Sequence, residues 1–141
     1  MYTVHYGFIE NFIDELGRKF HIKEIAFDHW REVQMSQNLE DFGFTLVQFG
    51  QSYWDMSLPT KKLIKLTLEQ KLSHSGNPVL RRNMDYIFIK HDPAGNIKPN
   101  KEKSTEKIDG AVALIMALDR AIRCGNSSDN SIYDSRDLLV L

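Results

Sequence analysis

Residues 101–122, KEKSTEKIDGAVALIMALDRAI, decide the reading. Ser104 or Thr105 suits a helix cap, and the apolar run after it is long enough for a core helix, about 105–123. Ile108, Ala111, Val112, Ile115, Leu118 and Ile122 form one stripe at helical spacing. Asp109 shares a face with Val112, Ala113 and Met116, so the pattern expects its carboxylate to stand on an apolar surface. A buried, unpaired carboxylate costs several kcal/mol, so it should meet a cation, a donor or a metal ion. The other reading is simple placement at the positive end of the helix dipole, worth ~0.3–1 kcal/mol. Gly110 leaves little bulk beside Asp109, as the close approach of a ligand would require.

Outward from this helix the chain alternates. A helix over 5–19 carries the stripe Phe8, Ile9, Phe12, Ile13 and Leu16. IKEIAFDHW, 22–30, reads as a buried strand ending at Asp28. A polar helix, 31–42, stops at Gly43, and FTLVQFG, 44–50, is a second strand. Pro59 suits the first turn of a lysine-rich helix, 59–73, and SHSGNP, 73–78, breaks the chain. MDYIFIKHDPAGNIKPNK predicts a β-hairpin, 84–91 and 96–99 around DPAGN, with Asp92 starting the turn. CGNSSDNS reads as a linker and IYDSRDLLVL as a closing segment. Strands alternating with helices imply an α/β fold, a mostly parallel sheet with flanking helices plus the hairpin. Polar residues at the carboxyl ends of such strands commonly line a ligand crevice, and Asp28 holds such a position. Carboxylates from a strand end and a helix can hold Mg2+ or Mn2+, because hard cations favour oxygen ligands.

Composition narrows the classes. An apolar share of 42% and a charged share of 26% are ordinary for a globular domain of 141 residues. One cysteine, Cys124, excludes an internal disulfide and a cysteine-based zinc cluster. The apolar run 111–118 falls well short of the ~20 residues of a membrane helix, and MYTVHYGFIENF lacks the pattern of a signal peptide. The net charge of −1 conceals an asymmetry: residues 57–107 carry eleven Lys/Arg against five Asp/Glu, and both flanks are acidic. Such a basic middle can meet a polyanion, or it can be an ordinary solvated face.

The stretch 76–122, above all DPAGNIKPNKEKSTEKIDG, resembles the C-terminal part of tailed-bacteriophage terminase large subunits. EIAFDHW and SIYDSRDLLVL fit the family pattern in order, so the resemblance covers at least 24–141. It implies a ribonuclease H-like nuclease that cuts concatemeric viral DNA during packaging, with aspartates around two divalent ions, Mg2+ or Mn2+. Such ion pairs, ~3.5–4 Å apart, activate a water and stabilise the leaving oxygen. By position, Asp28 matches the acidic residue of the central strand and Asp109 that of the last helix. The hairpin 84–99 matches an element near the DNA. Lys61, Lys62, Lys65, Arg81, Arg82, Lys98, Lys101, Lys103 and Lys107 would contact phosphates without reading sequence.

The resemblance further implies double-stranded DNA as partner. In the full protein it adds an ATPase domain, the small terminase subunit and the portal, with no membrane. The setting would be the cytoplasm of a bacterial host carrying a phage or prophage. No GxxxxGK[ST] motif occurs, so the chain is not expected to translocate DNA. The family's first catalytic aspartate, on an initial hairpin, has no counterpart in MYTVHYGFIENF, and Glu10 and Asp14 are poor substitutes. The expectation is therefore a partial ribonuclease H-like domain over 1–123 with a linker and tail over 124–141, weak or inactive alone. The alternative is a non-catalytic module of the same descent that binds DNA or a packaging protein. His29 is expected to be a polar strand-end residue, with a metal-site neighbour as the alternative; Trp30 and Trp54 are expected to pack, and an exposed one could touch DNA. Asp119 is expected in a surface ion pair with Arg120 or Arg123, and Cys124 to be inert.

Overall fold

The computed structural model describes residues 5–28, 33–124 and 139–140, which form two compact units, Met1–Gly50 and Gln51–Leu141. In the first, helix α1 (Tyr6–Lys19) precedes strand β1 (Ile25–Phe27), helix α2 (Val33–Asp41) and strand β2 (Leu46–Gln48). β1 and β2 pair in parallel, Ile25 against Leu46, so α2 is the crossover of a βαβ unit. Gly43 ends α2 as expected. Its φ of 95° suits a residue without Cβ, while its N–H and that of Phe44 reach back to the carbonyls of Glu40 and Leu39. Gly17 lets the Phe44 ring close on α1, since a Cβ there would lie 2.8 Å from Phe44 Cζ. The stripe of α1 is not the buried face its spacing suggests: Phe8 is 77% exposed, Phe12 60%, and the helix buries no residue.

The second unit holds helix α3 (Tyr53–Leu68), strand β3 (Leu72–Ser73), helix α4 (Pro78–Asp85), strands β4 (Ile89–His91) and β5 (Ile97–Pro99), helix α5 (Asp109–Cys124) and strand β6 (Leu139–Val140). Its core is α3 against α5 and β5. Met56, Leu63 and Leu66 of α3, Ile97 of β5, and Ala111, Val112, Ile115, Met116 and Leu118 of α5 are all buried. The predicted α5 stripe is confirmed except at Ile122, which is exposed one turn from the helix end. A buried hydroxyl fastens the layers: Ser57 Oγ accepts the Ile97 N–H at 3.1 Å.

Four boundaries differ from expectation. α3 starts at Tyr53, because Ser52 caps it: its Oγ accepts the Asp55 N–H and donates to the Asp55 carboxylate at 2.6 Å. Pro59 thus lies inside the helix. α4 was not foreseen. Asn77 caps it, its Oδ1 accepting the N–H groups of Val79 and Leu80, and Pro78 takes the first helical position. It replaces the start of the expected strand 84–91, leaving a shorter hairpin. α5 begins at Asp109, not 105. Finally, the mostly parallel sheet is replaced, among the described residues, by three two-stranded sheets: β1–β2 and β3–β6 parallel, β4–β5 antiparallel.

The cap of α5 comes from another helix. Asn83, buried on α4, accepts the N–H groups of Gly110 (2.9 Å) and Ala111 (3.3 Å) on its Oδ1 and donates from Nδ2 to the Val79 carbonyl. It takes the role expected of Ser104 or Thr105. It also accounts for Gly110: a Cβ there would stand 3.2 Å from Asn83 Oδ1. The neighbour that approaches Gly110 closely is this amide. Asn83→Ala is expected to destabilise the unit by about 1–2 kcal/mol, read as a lower urea midpoint, with Asn83→Asp, which keeps the acceptor at the helix head, recovering most of that loss.

In the hairpin turn, Gly95 adopts φ 83°, and Asp92 closes the loop on Asn96. Asp92 Oδ1 accepts the Asn96 N–H at 2.8 Å and Oδ2 the Asn96 side-chain amide at 2.7 Å. That side-chain bond holds the Asp92 carboxyl below its usual 3.8; burial opposes it, while the N–H groups of Asn96 and Ala94 and the charge of Lys61 reinforce it. A lowered value means that its stabilisation is present above the unfolded value and is lost as pH falls through the folded one. The melting-temperature difference between wild type and Asp92→Asn should therefore be constant from pH 7 to 5 and shrink below pH ~3.8.

Candidate metal and nucleic-acid site

Asp28 follows the last residue of β1, half-buried at a cleft of about 350 Å³ lined by Ile13, Phe27, Met35 and Leu39 of the same unit. It therefore sits at the carboxyl end of a parallel strand, as expected. His29 and Trp30 lie outside the described residues. Glu10 and Asp14 of α1 are occupied elsewhere: Glu10 Oε1 accepts Asn38 Nδ2 at 2.9 Å, and Asp14 pairs with Arg18 at 2.9 Å.

Asp109 is the first residue of α5 and is exposed, which corrects its expected placement on an apolar surface. The cause is the helix start: with Asn83 closing the turn, the carboxylate projects from the helix head, where the dipole favours an anion. Asp109 makes no ion pair among the described residues. It lines a shallow cleft of about 380 Å³ with Lys101, Ser104, Thr105, Glu106 and Lys107. A free carboxylate thus shares a concavity with two lysines. Within either unit, no three His, Cys, Asp or Glu side chains among the described residues gather to hold a metal. Asp28 and Asp109 belong to different units, each described by itself. As donors, both are carboxylates, the oxygen type that Mg2+ and Mn2+ take.

The basic residues divide. Lys61, Lys65, Arg81, Lys101, Lys103 and Lys107 are exposed, and Lys62 is half-buried. Lys65 lies 4.0 Å from Glu69. Arg82 is engaged, 3.0 Å from Glu106 and 6.0 Å from the centroid of the Tyr86 ring. Lys98 is held inward, donating to the Gln51 carbonyl at 3.0 Å with its ammonium 4.8 Å from the Tyr53 ring centroid. Lys98 and Lys101 line one small cavity with Lys90, a residue the sequence reading passed over. The hairpin register brings it there, setting Lys90 directly across from Lys98.

Two further expectations are corrected. Asp119 is buried, not a surface residue, although it makes the expected pair with Arg123: its Oδ2 accepts Arg123 Nε at 2.8 Å while its Oδ1 meets no partner among the described residues. Trp54 is 86% exposed, on the face of α3 that also carries exposed Leu58, Lys61 and Lys65, so it is not a packing residue. Cys124, at the end of α5, accepts a hydrogen bond from Arg120 at 3.3 Å.

Comparison with known proteins agrees with these elements. Residues 2–124 match the family model for the terminase large subunit, endonuclease domain. The terminase large subunit of Enterobacteria phage HK97 is 35% identical over 121 residues, covering 84% of this chain and 24% of that protein. Protein YmfN of Escherichia coli K12 is 35% identical over 120 residues, with the same coverage of both chains. The crystal structure of the HK97 bacteriophage large terminase superposes with a TM-score of 0.76, covering 84% of this chain and 25% of that one. The chain thus spans about a quarter of the length of these relatives. Its mixed α/β architecture of small parallel and antiparallel sheets is that of the matching region, and the chain belongs to the terminase large subunit endonuclease-domain family.

Proposed function

We propose that this chain is the C-terminal portion of a ribonuclease H-like terminase nuclease, which cuts concatemeric double-stranded DNA during viral packaging. The observation that carries this reading is the Asp109 carboxylate, free at the head of α5 in a cleft with Lys101 and Lys107. Asp28 and Asp109 would hold Mg2+ or Mn2+. When bound, the ion would supply activation of a water and stabilisation of the leaving oxygen. Lys101 and Lys107 then bind backbone phosphate beside the carboxylate. Lys61, Lys62, Lys65, Arg81 and Lys103 offer further cations, which orient a duplex without reading its sequence.

Two carboxylates fall short of the family's set, and Glu10 and Asp14 are committed to Asn38 and Arg18. The isolated chain is therefore a weak or inactive nuclease whose partners, in a full assembly, are the ATPase domain, the small terminase subunit and the portal. Its place would be the cytoplasm of a host bacterium. The second reading, a non-catalytic module that binds DNA or a packaging protein, is favoured by the basic 57–107 segment, with eleven Lys/Arg against five Asp/Glu. Purified chain incubated with supercoiled plasmid and Mn2+ should give no nicking above background. Robust nicking abolished by Asp109→Ala would overturn the incomplete-site reading. Mn2+ should raise the melting temperature, and Asp28→Asn should lose that rise. Salt-sensitive DNA binding with no response to metal would instead establish the module.

A further inference from the structure

The β4–β5 hairpin contains an arrangement that is unfavourable by itself. Its register pairs Lys90 with Lys98. Residues directly opposite in an antiparallel pair project from the same face with Cβ atoms ~4.5–5.5 Å apart, and like charges there are destabilising. Neither lysine has a carboxylate partner among the ion pairs of the described residues. Lys98 cannot simply swing into solvent, because the Gln51 carbonyl and the Tyr53 ring hold its ammonium. One of its three N–H donors is used there, leaving two. Burial, and then the charge of Lys90, lower the Lys98 pKa from its usual 10.5.

A third lysine is brought to the same place by a built turn. Asn100, buried after β5, accepts the N–H groups of Glu102 and Lys103 on its Oδ1 at 3.1 and 3.3 Å. Its backbone N–H donates to the Phe88 carbonyl at 2.7 Å, and its own carbonyl accepts Ser104 Oγ at 2.7 Å. Lys101 sits inside this fastened turn. Lys90, Lys98 and Lys101 line a cavity of about 140 Å³ together with Met56, Val112 and one carboxylate, Glu102. Pockets for small molecules run to ~300–1,000 Å³, so this one fits a single tetrahedral anion and excludes a nucleotide base. Lys101 also lines the Asp109 cleft, which places the two concavities side by side.

We propose that the Lys90–Lys98–Lys101 cavity is a seat for one backbone phosphate of duplex DNA, next to the Asp109 cleft. The seat rests on the DNA reading above and adds a specific contact to it. A bound phosphate turns the Lys90–Lys98 repulsion into shared attraction. Because the two lysines serve one phosphate, removing both should cost no more than one phosphate contact.

The test uses the whole chain in EDTA, so that its outcome does not depend on cutting. Binding of a fluorescein-labelled 15-base-pair duplex is followed by anisotropy from 50 to 200 mM salt. The slope of log K against log salt should fall by about 0.9 in the double variant, the value for one phosphate contact, and by no more than that in Lys90→Gln or Lys98→Gln alone. Lys101→Gln, on the turn rather than the hairpin, should weaken binding without altering the fold. Lys90→Gln should melt no lower than wild type, because it removes the like charge opposite Lys98 and leaves the Lys98 bond to Gln51 in place. An unchanged slope, or a loss of about 1.8 in the double variant, would overturn the shared seat. A lower melting temperature in both Lys90→Gln and Lys101→Gln would overturn it as well, by assigning the lysines a structural role. Stabilisation by inorganic phosphate without any change in the DNA slope would assign the cavity to a free anion and overturn the DNA seat. If wild type shows no salt-dependent binding, the DNA reading itself fails. If wild type binds and the variants match it, only the seat fails.

Discussion

The side-chain amide of Asn83 closes the head of α5, and most of what the second unit presents follows from that contact. Two of the helix's orphan N–H groups find their acceptor on a neighbouring helix. This fixes where α5 begins, and the starting residue is Asp109. It also locks α4 to α5 at the point where Gly110 permits approach. From there α5 runs back against α3, burying Ala111 and Ile115 completely. The segment between β5 and α5 must then span a set distance, and the turn at Asn100 takes it up. Lys101 and Lys107 are held around Asp109 by a backbone fastened at both ends.

The apolar α5 stripe, the Gly43 stop and the DPAGN turn were legible because each is local: periodicity, one glycine, one Asx turn. The misreadings share a different character. Asp109 shared a helical face with Val112 and Met116, yet the helix starts at this residue, and a first-turn side chain can leave the surface that later turns bury. Asp119 looked like a surface partner for Arg120 or Arg123. Its burial is set by tertiary packing, which periodicity alone does not contain. Pro59 was read as a helix start because proline favours the first turn, but Ser52 and Asp55 had already begun α3 with a stronger local cap. α4 could have been found, since Asn77–Pro78 is itself a start signal. For Asp28 the strand end was legible from its sequence neighbours. The grouping of Lys90 with Lys98 and Lys101 required the hairpin register.

The basic character of residues 57–107 resolves into distinct roles. Arg82 is spent on Glu106 and Tyr86, tying α4 to the approach to α5. Lys71 and Lys65 both lie near Glu69 at the end of α3. Such exposed pairs are worth little individually. The lysines around the hairpin and the head of α5 are a separate group, positioned by hydrogen-bonded turns and facing concave surface. Charge counted along the chain therefore overstates the number of cations free for a polyanion and understates how well the rest are placed.

The parallel pairing of β3 with β6 joins residues 72–73 to residues 139–140. These partners are far apart in the chain, so the pairing closes a long loop, and such contacts form late in folding. During synthesis, β3 emerges with its edge unpaired while the hairpin and α5 are still being made. Its strand partner can pair only after residue 140 has been added and has left the ribosome. A truncation shortly before that point would leave the α3–α5 core intact but keep the β3 edge open to other chains.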